Sequence, residues 1–166
     1  MPRSNNYVLE INNTTSRKVD AKKLRIIAEK FARAYKKPGG NKNSGSVSLA
    51  IVGPARIKNL NQQYRGLDKV TDVLSFTAEN EIIINIYETK KFKKYREMFL
   101  ELGADIKGVL NKEQKKRLSE YLLYFLFVHG LLHLAGYDDK MEKGRREMIK
   151  KGRDFLNKIG FKLIIA

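Results

Sequence analysis

Two imidazoles are the first candidates for chemistry, because the 166-residue chain holds only two histidines and they stand four apart, at His129 and His133. On a helix, residues so spaced project from one face about one turn apart, so both rings could offer nitrogen to a single divalent ion. The bland alternative is a pair of core histidines whose polar atoms are satisfied by hydrogen bonds. Further ligands are available where the chain leaves the helix. Gly136 can take the left-handed conformation that turns the backbone back, and Asp138 and Asp139 follow it. Two histidines with one carboxylate and an open position form a set used by hydrolytic zinc and non-haem iron sites. Either aspartate could instead cap the next helix. The residue after His129 is Gly130 rather than glutamate, so the HExxH arrangement with its built-in base is missing and a protease is disfavoured.

The histidines need a helix under them, and the sequence supplies one from Asn111 or Lys112 to about Ala135, with Gly136 placed to end it. Its second half, Tyr121 to Tyr137, carries no formal charge. That run is just short of a membrane span, is interrupted by two His and two Gly, and suits the centre of a folded core. Around it, alternation predicts strands at Tyr7–Ile11 and through SVSLAIV, and a hairpin from Asp72–Phe76 and Glu81–Ile86. Helical spacing of Leu24, Ile27, Ala28, Phe31 and Tyr35, capped by Asp20, predicts a helix stopped by Pro38, Gly39 and Gly40. A second opens at Pro54, carries Ile57, Leu60, Asn61 and Tyr64 on one stripe and stops at Gly66. Glu88–Leu102 reads as a basic surface helix, and Met148 to Ile159 as a last helix ending at Gly160. Residues 1–166 are expected to form one compact α+β domain.

Composition bounds the partners. There are 34 Lys and Arg against 18 Asp and Glu, a net charge of +16 and a pI near 10.0, which favours a polyanionic partner. A well-solvated lysine-rich surface is the competing reading. No cysteine is present, which excludes disulfides, thiolate zinc sites, iron–sulfur clusters and a cysteine nucleophile. Met1 to Glu10 lacks the apolar run of a signal peptide, so a cytoplasmic location is expected.

Two blocks resemble a known family. His129 to Asp139, HGLLHLAGYDD, is similar to the HGxLHLxGYDH motif of the YbeY endoribonucleases, and Leu60 to Phe76, LNQQYRGLDKVTDVLSF, is similar to that family's LNxxYRxxDxPTDVLSF block. A shorter echo, Asn80 to Ile84, lacks the Gly and Asp of the family's GDIxI strand, and the likeness extends from about Val47 to Gly160. It implies a zincin-like α+β fold, a small mixed sheet packed against helices with the metal-binding helix in the centre, and one zinc ion held, in the family pattern, by three histidines. Here His129 and His133 match the first two, and Asp139 stands at the third. Its anionic oxygen would make bound water less acidic and would admit manganese or iron beside zinc. Asp138 then becomes a turn or outer-shell residue. Arg65 matches the family's YR arginine, implicated in activity, and a guanidinium suits bidentate phosphate contact. Leu67 and Val70 depart from the lysine and proline common in that block.

The expected function is therefore metal-dependent cleavage of single-stranded RNA in ribosomal RNA maturation and ribosome quality control. His129 and Arg65 would be the catalytic residues, Arg65 also holding substrate, and His129, His133 and Asp139 the metal ligands. The implied partners are ribosomal RNA, the small ribosomal subunit and its assembly factors, with no membrane and no DNA-specific binding. A competing expectation, motivated by the changed third ligand, is an RNA-binding assembly factor with a structural or degraded metal site.

Overall fold

Alternating apolar side chains commit the β-rich segments to a sheet with two buried faces, and the order of elements follows from where that alternation breaks. The computed structural model describes residues 7–35, 45–103 and 108–163. Along the chain come β1 (Val8–Asn13), α1 (Ala21–Ala34), β2 (Ser46–Val52), α2 (Pro54–Arg65), β3 (Val73–Phe76) and β4 (Glu81–Asn85). A 3-10 turn (Ile86–Lys90), α3 (Arg96–Glu101), α4 (Lys112–Leu134) and α5 (Glu142–Lys158) complete it. The four strands lie in the order β1-β2-β4-β3. β1, β2 and β4 run parallel, and β3 pairs antiparallel with β4 as the hairpin requires.

Each face of this mixed sheet carries its own core. Val47, Leu49, Ile51, Ile82 and Ile84 turn toward α1, α4 and α5, joining Leu24, Ile27, Phe31, Phe127 and Leu156. The opposite face sets Val52, Leu74 and Ile83 against Ile57 and Leu60 of α2. Helix α4 lies in the middle of the larger core, with thirteen of its residues buried, including the run from Tyr121 to Val128. Its uncharged second half is thus explained by burial on all sides, and among the described residues no helix is long and apolar enough to cross a membrane.

Local punctuation behaves as the residue types dictate. The Asp20 carboxylate accepts from the Lys23 N–H at 3.1 Å, capping α1. Pro54 occupies the first turn of α2, and Gly66 closes it in the left-handed region. The Pro38–Gly40 stop lies outside the described residues. Two expectations are corrected. β1 continues through Asn12 and Asn13, which pair with Ala50 and Ile51, instead of ending at Ile11. Glu88–Leu102 is not one helix: Glu88 is buried and draws Lys91 (2.6 Å) and Lys94 (2.8 Å) around its carboxylate. The chain therefore coils tightly there, and regular helix starts only at Arg96.

Close approach of α4 to the sheet depends on Gly130. A Cβ there would lie 2.7 Å from Ile82 Cγ2 and 3.1 Å from two further atoms of that side chain. Gly130→Ala is expected to destabilise the fold by about 1–3 kcal/mol, the usual penalty for overpacking. The cost should shrink in an Ile82→Ala background, a coupling that a denaturant double-mutant cycle measures.

Candidate metal centre

The position of the histidines is fixed at both ends of α4. At its start Asn111 and Gln114 form a reciprocal capping box, the Asn111 Oδ1 accepting from Gln114 N–H at 2.8 Å and the Gln114 Oε1 accepting from Asn111 N–H at 2.9 Å. At its end Gly136, with φ of 100°, allows a Schellman turn: Gly136 N–H donates to His133 O (3.0 Å) and Tyr137 N–H to Leu132 O (3.1 Å). That reversal brings the following aspartates back beside the last two turns of the helix. Asp138 is spent on the turn itself, its Oδ1 accepting from Lys140 N–H at 2.8 Å. Asp139 is the one that faces the rings.

Asp139 Oδ2 lies 3.0 Å from His129 Nε2 and 3.3 Å from His133 Nε2. Donor atoms of the three residues fall within 4.8 Å of one another, a group able to hold a metal ion. Nitrogen and oxygen ligands bonded to tetrahedral zinc stand roughly 3.3–3.6 Å apart, and the two distances from Asp139 lie close to that spacing. His133 Nδ1 lies 3.1 Å from the Tyr137 carbonyl oxygen. A carbonyl only accepts, so Nδ1 carries the proton and Nε2 is presented inward, the arrangement usual for a ligating histidine. The hydrogen bond from His129 holds the Asp139 carboxyl down at about 2, with attraction to His133 adding to it and burial opposing it. Burial and the charge of His129 push His133 below its ordinary value, and the Asp139 anion opposes that. Neutral imidazole and ionised carboxylate are the forms that bind metal.

The trio opens into a cleft of about 380 Å³ that is also lined by Arg65, Asp72, Ser75, Lys94, Tyr95 and Arg145. Arg65 is the last residue of α2, and among the described residues it makes no ion pair. Its neighbours hold it there. Asn61 is buried and donates Nδ2–H to Lys69 O at 3.0 Å, tying down the loop after the helix, while Tyr64 packs edge-on to Phe76 with ring centroids 5.1 Å apart. Lys94 and Arg145 are committed to Glu88 and Glu142, which reduces but does not remove their positive field in the cleft.

The structure brings His129, His133, Asp139 and Arg65 to one cavity. Asp72, Lys94, Tyr95 and Arg145 were not selected from the sequence. Only Asp72 carried a signal, since it lies inside the LNQQYRGLDKVTDVLSF block. It is not a free base: its Oδ1 accepts from Val73 N–H (2.8 Å) and its Oδ2 from the Tyr95 hydroxyl (2.9 Å). Burial, together with the Asp72 anion, raises the Tyr95 hydroxyl far above its ordinary range, so it stays a donor.

A His-His-carboxylate group at the end of a buried helix, opening into a cleft that Arg65 also lines, defines a candidate metal-dependent hydrolase. The sequence profile of endoribonuclease YbeY matches residues 10–160 of the chain. An endoribonuclease YbeY from Bacillus licheniformis is 32% identical over 169 residues, covering 92% of this chain and 95% of its own. One from Limosilactobacillus reuteri is 34% identical over 158 residues, covering 92% and 97%. A solution structure from Thermotoga maritima overlaps 92% of this chain and 89% of its own at 25% identity, with a TM-score of 0.47, too distant a superposition to add to the argument. This chain belongs to the endoribonuclease YbeY family.

Glu88 gives the site's surroundings a defined acid response. Burial alone would raise its carboxyl, but the hydrogen bonds from Lys91 and Lys94 outweigh it and hold the carboxyl below its ordinary 4.5. A depressed folded value contributes stability that is complete above about pH 4.5 and is lost as pH falls below it. Glu88→Gln should cost about 1.5 kcal/mol at pH 7, the low end for charge-assisted bonds because both ammonium groups are half exposed, and less at pH 3. Thermal melts at the two pH values check this.

Proposed function

We propose that this chain, acting as one domain over residues 1–166, is a cytoplasmic metal-dependent endoribonuclease that cleaves single-stranded RNA during maturation and quality control of ribosomal RNA. The observation that carries the reading is the convergence of His129, His133 and Asp139 in a cleft that Arg65 also lines, in a member of this family. The relatives are named endoribonucleases, and a net charge of +16 favours a polyanionic substrate. The small ribosomal subunit and its assembly factors are the partners this role calls for.

His129 and His133 would hold the ion through Nε2 and Asp139 through its carboxylate, with zinc as the occupant; the oxygen donor also admits manganese or iron. The ion supplies Lewis acidity, polarising a phosphoryl oxygen and easing loss of a proton from water. The chain's own residues do the rest. Arg65 binds the scissile phosphate and opposes the charge that develops on its oxygens. Asp72 and Tyr95 brace the wall of the cleft, and Lys94 and Arg145 extend the positive field along the strand. The Tyr137 carbonyl keeps His133 in the ligating tautomer.

Nuclease-free protein incubated with labelled single-stranded RNA tests the reading. Cleavage should stop with a chelator and with His129→Ala, and return on adding zinc to the chelated parent. Arg65→Ala should cut kcat/KM by about 100-fold, as expected for loss of one charge-stabilising donor. Binding without any metal-dependent cleavage would instead support the assembly-factor reading, for which the aspartate at the third ligand position speaks.

A further inference from the structure

Two buried polar atoms beside the metal centre have no hydrogen-bond partner among the described residues: His129 Nδ1 and Ser75 Oγ. Each is costly to enclose alone. Without an ion, the His129 Nε2–H donates to the Asp139 carboxylate and Nδ1 needs a donor; once an ion takes Nε2, Nδ1 carries the proton and needs an acceptor. His133 has the Tyr137 carbonyl for this purpose, but the corresponding atom of His129 has no such group.

Ser75 is placed to supply one. By strand alternation it shares the face of Val73, which packs on the larger core with α4, whereas Leu74 belongs to the α2 side. In the ladder Ser75 lies opposite Ile82, whose side chain abuts Gly130, the residue after His129. Ser75 and His129 both line the cleft. A serine hydroxyl rotates freely and accepts as readily as it donates.

We infer that Ser75 is a positioning residue for His129: its hydroxyl pairs with Nδ1, by a small side-chain rotation or through one enclosed water, donating to it while Nε2–H faces Asp139 and accepting from Nδ1–H once an ion takes Nε2, and so fixes the ring with Nε2 toward the site. The inference rests on the metal-binding reading of the trio. A ligating histidine tethered at its other nitrogen is oriented and more basic, and losing such a tether costs roughly 10–100-fold in metal affinity.

The full-length chain and its Ser75→Ala variant separate this role from mere burial of a hydroxyl. Zinc affinity, measured by competition with a chromophoric chelator, should fall by roughly 10–100-fold in Ser75→Ala and recover in Ser75→Thr. Long-range proton–nitrogen NMR of the chelator-treated protein should show His129 Nδ1 as an unprotonated nitrogen that accepts a hydrogen bond in the parent, and shifted downfield as a free nitrogen in Ser75→Ala. If the hydroxyl serves nothing, Ser75→Ala should instead melt higher, with zinc affinity and His129 signals unchanged, and the inference is overturned. His133→Ala provides the control on the underlying site. Zinc binding lost there but kept in Ser75→Ala sinks the Ser75 role alone, whereas binding unaffected in both sinks the metal site. The NMR comparison still decides the Ser75 role in that second case.

Discussion

A carboxylate oxygen shared between two imidazole nitrogens, at 3.0 and 3.3 Å, sets the terms for the rest of the molecule. Imidazoles on successive turns of a helix buried among Leu, Phe and Tyr side chains would be a liability if their polar edges faced hydrocarbon. The turn at Gly136 removes that conflict by returning an anion to the same face. It also holds Asp139 as the anion, the form in which a carboxylate binds a divalent cation.

The sheet's division of labour follows from this demand. One face must accept a helix that is apolar nearly all round, so β2 and β4 present Leu49, Ile51, Ile82 and Ile84 to α4, and Gly130 lets the two approach closely. The other face needs only α2, whose last residue is Arg65. Because β3 lies at the sheet edge and faces both helices through alternate residues, it links the α2 side of the sheet to the α4 side. The loop between α2 and β3, tied by Asn61, therefore brings a guanidinium and two imidazoles from opposite sides of one sheet into a single cleft.

Local rules made much of this legible. The apolar run, the Asn111 cap and the glycine stop located α4, and the histidine spacing announced the site before any partner was known. Spacing left Asp138 and Asp139 equivalent, because both follow the same glycine; the choice was carried by family resemblance and then by the bond from Lys140 N–H that occupies Asp138. Long-range pairing was illegible: nothing in YVLEI or SVSLAIV states that they run parallel. The cleft wall was missed for a related reason. Asp72, Lys94, Tyr95 and Arg145 come from separate segments and meet only through packing. The misread segment Glu88–Leu102 shows tertiary capture overriding helical pattern, since burying Glu88 with two lysines bends the chain before a helix can propagate.

The account stands on three side chains gripping one ion. Anomalous diffraction at the zinc edge, from crystals grown with the metal, tests this most directly. A single peak bonded to Nε2 of His129, Nε2 of His133 and a carboxylate oxygen of Asp139 is the predicted result. A peak elsewhere, or none with the two rings turned away from each other, would contradict it.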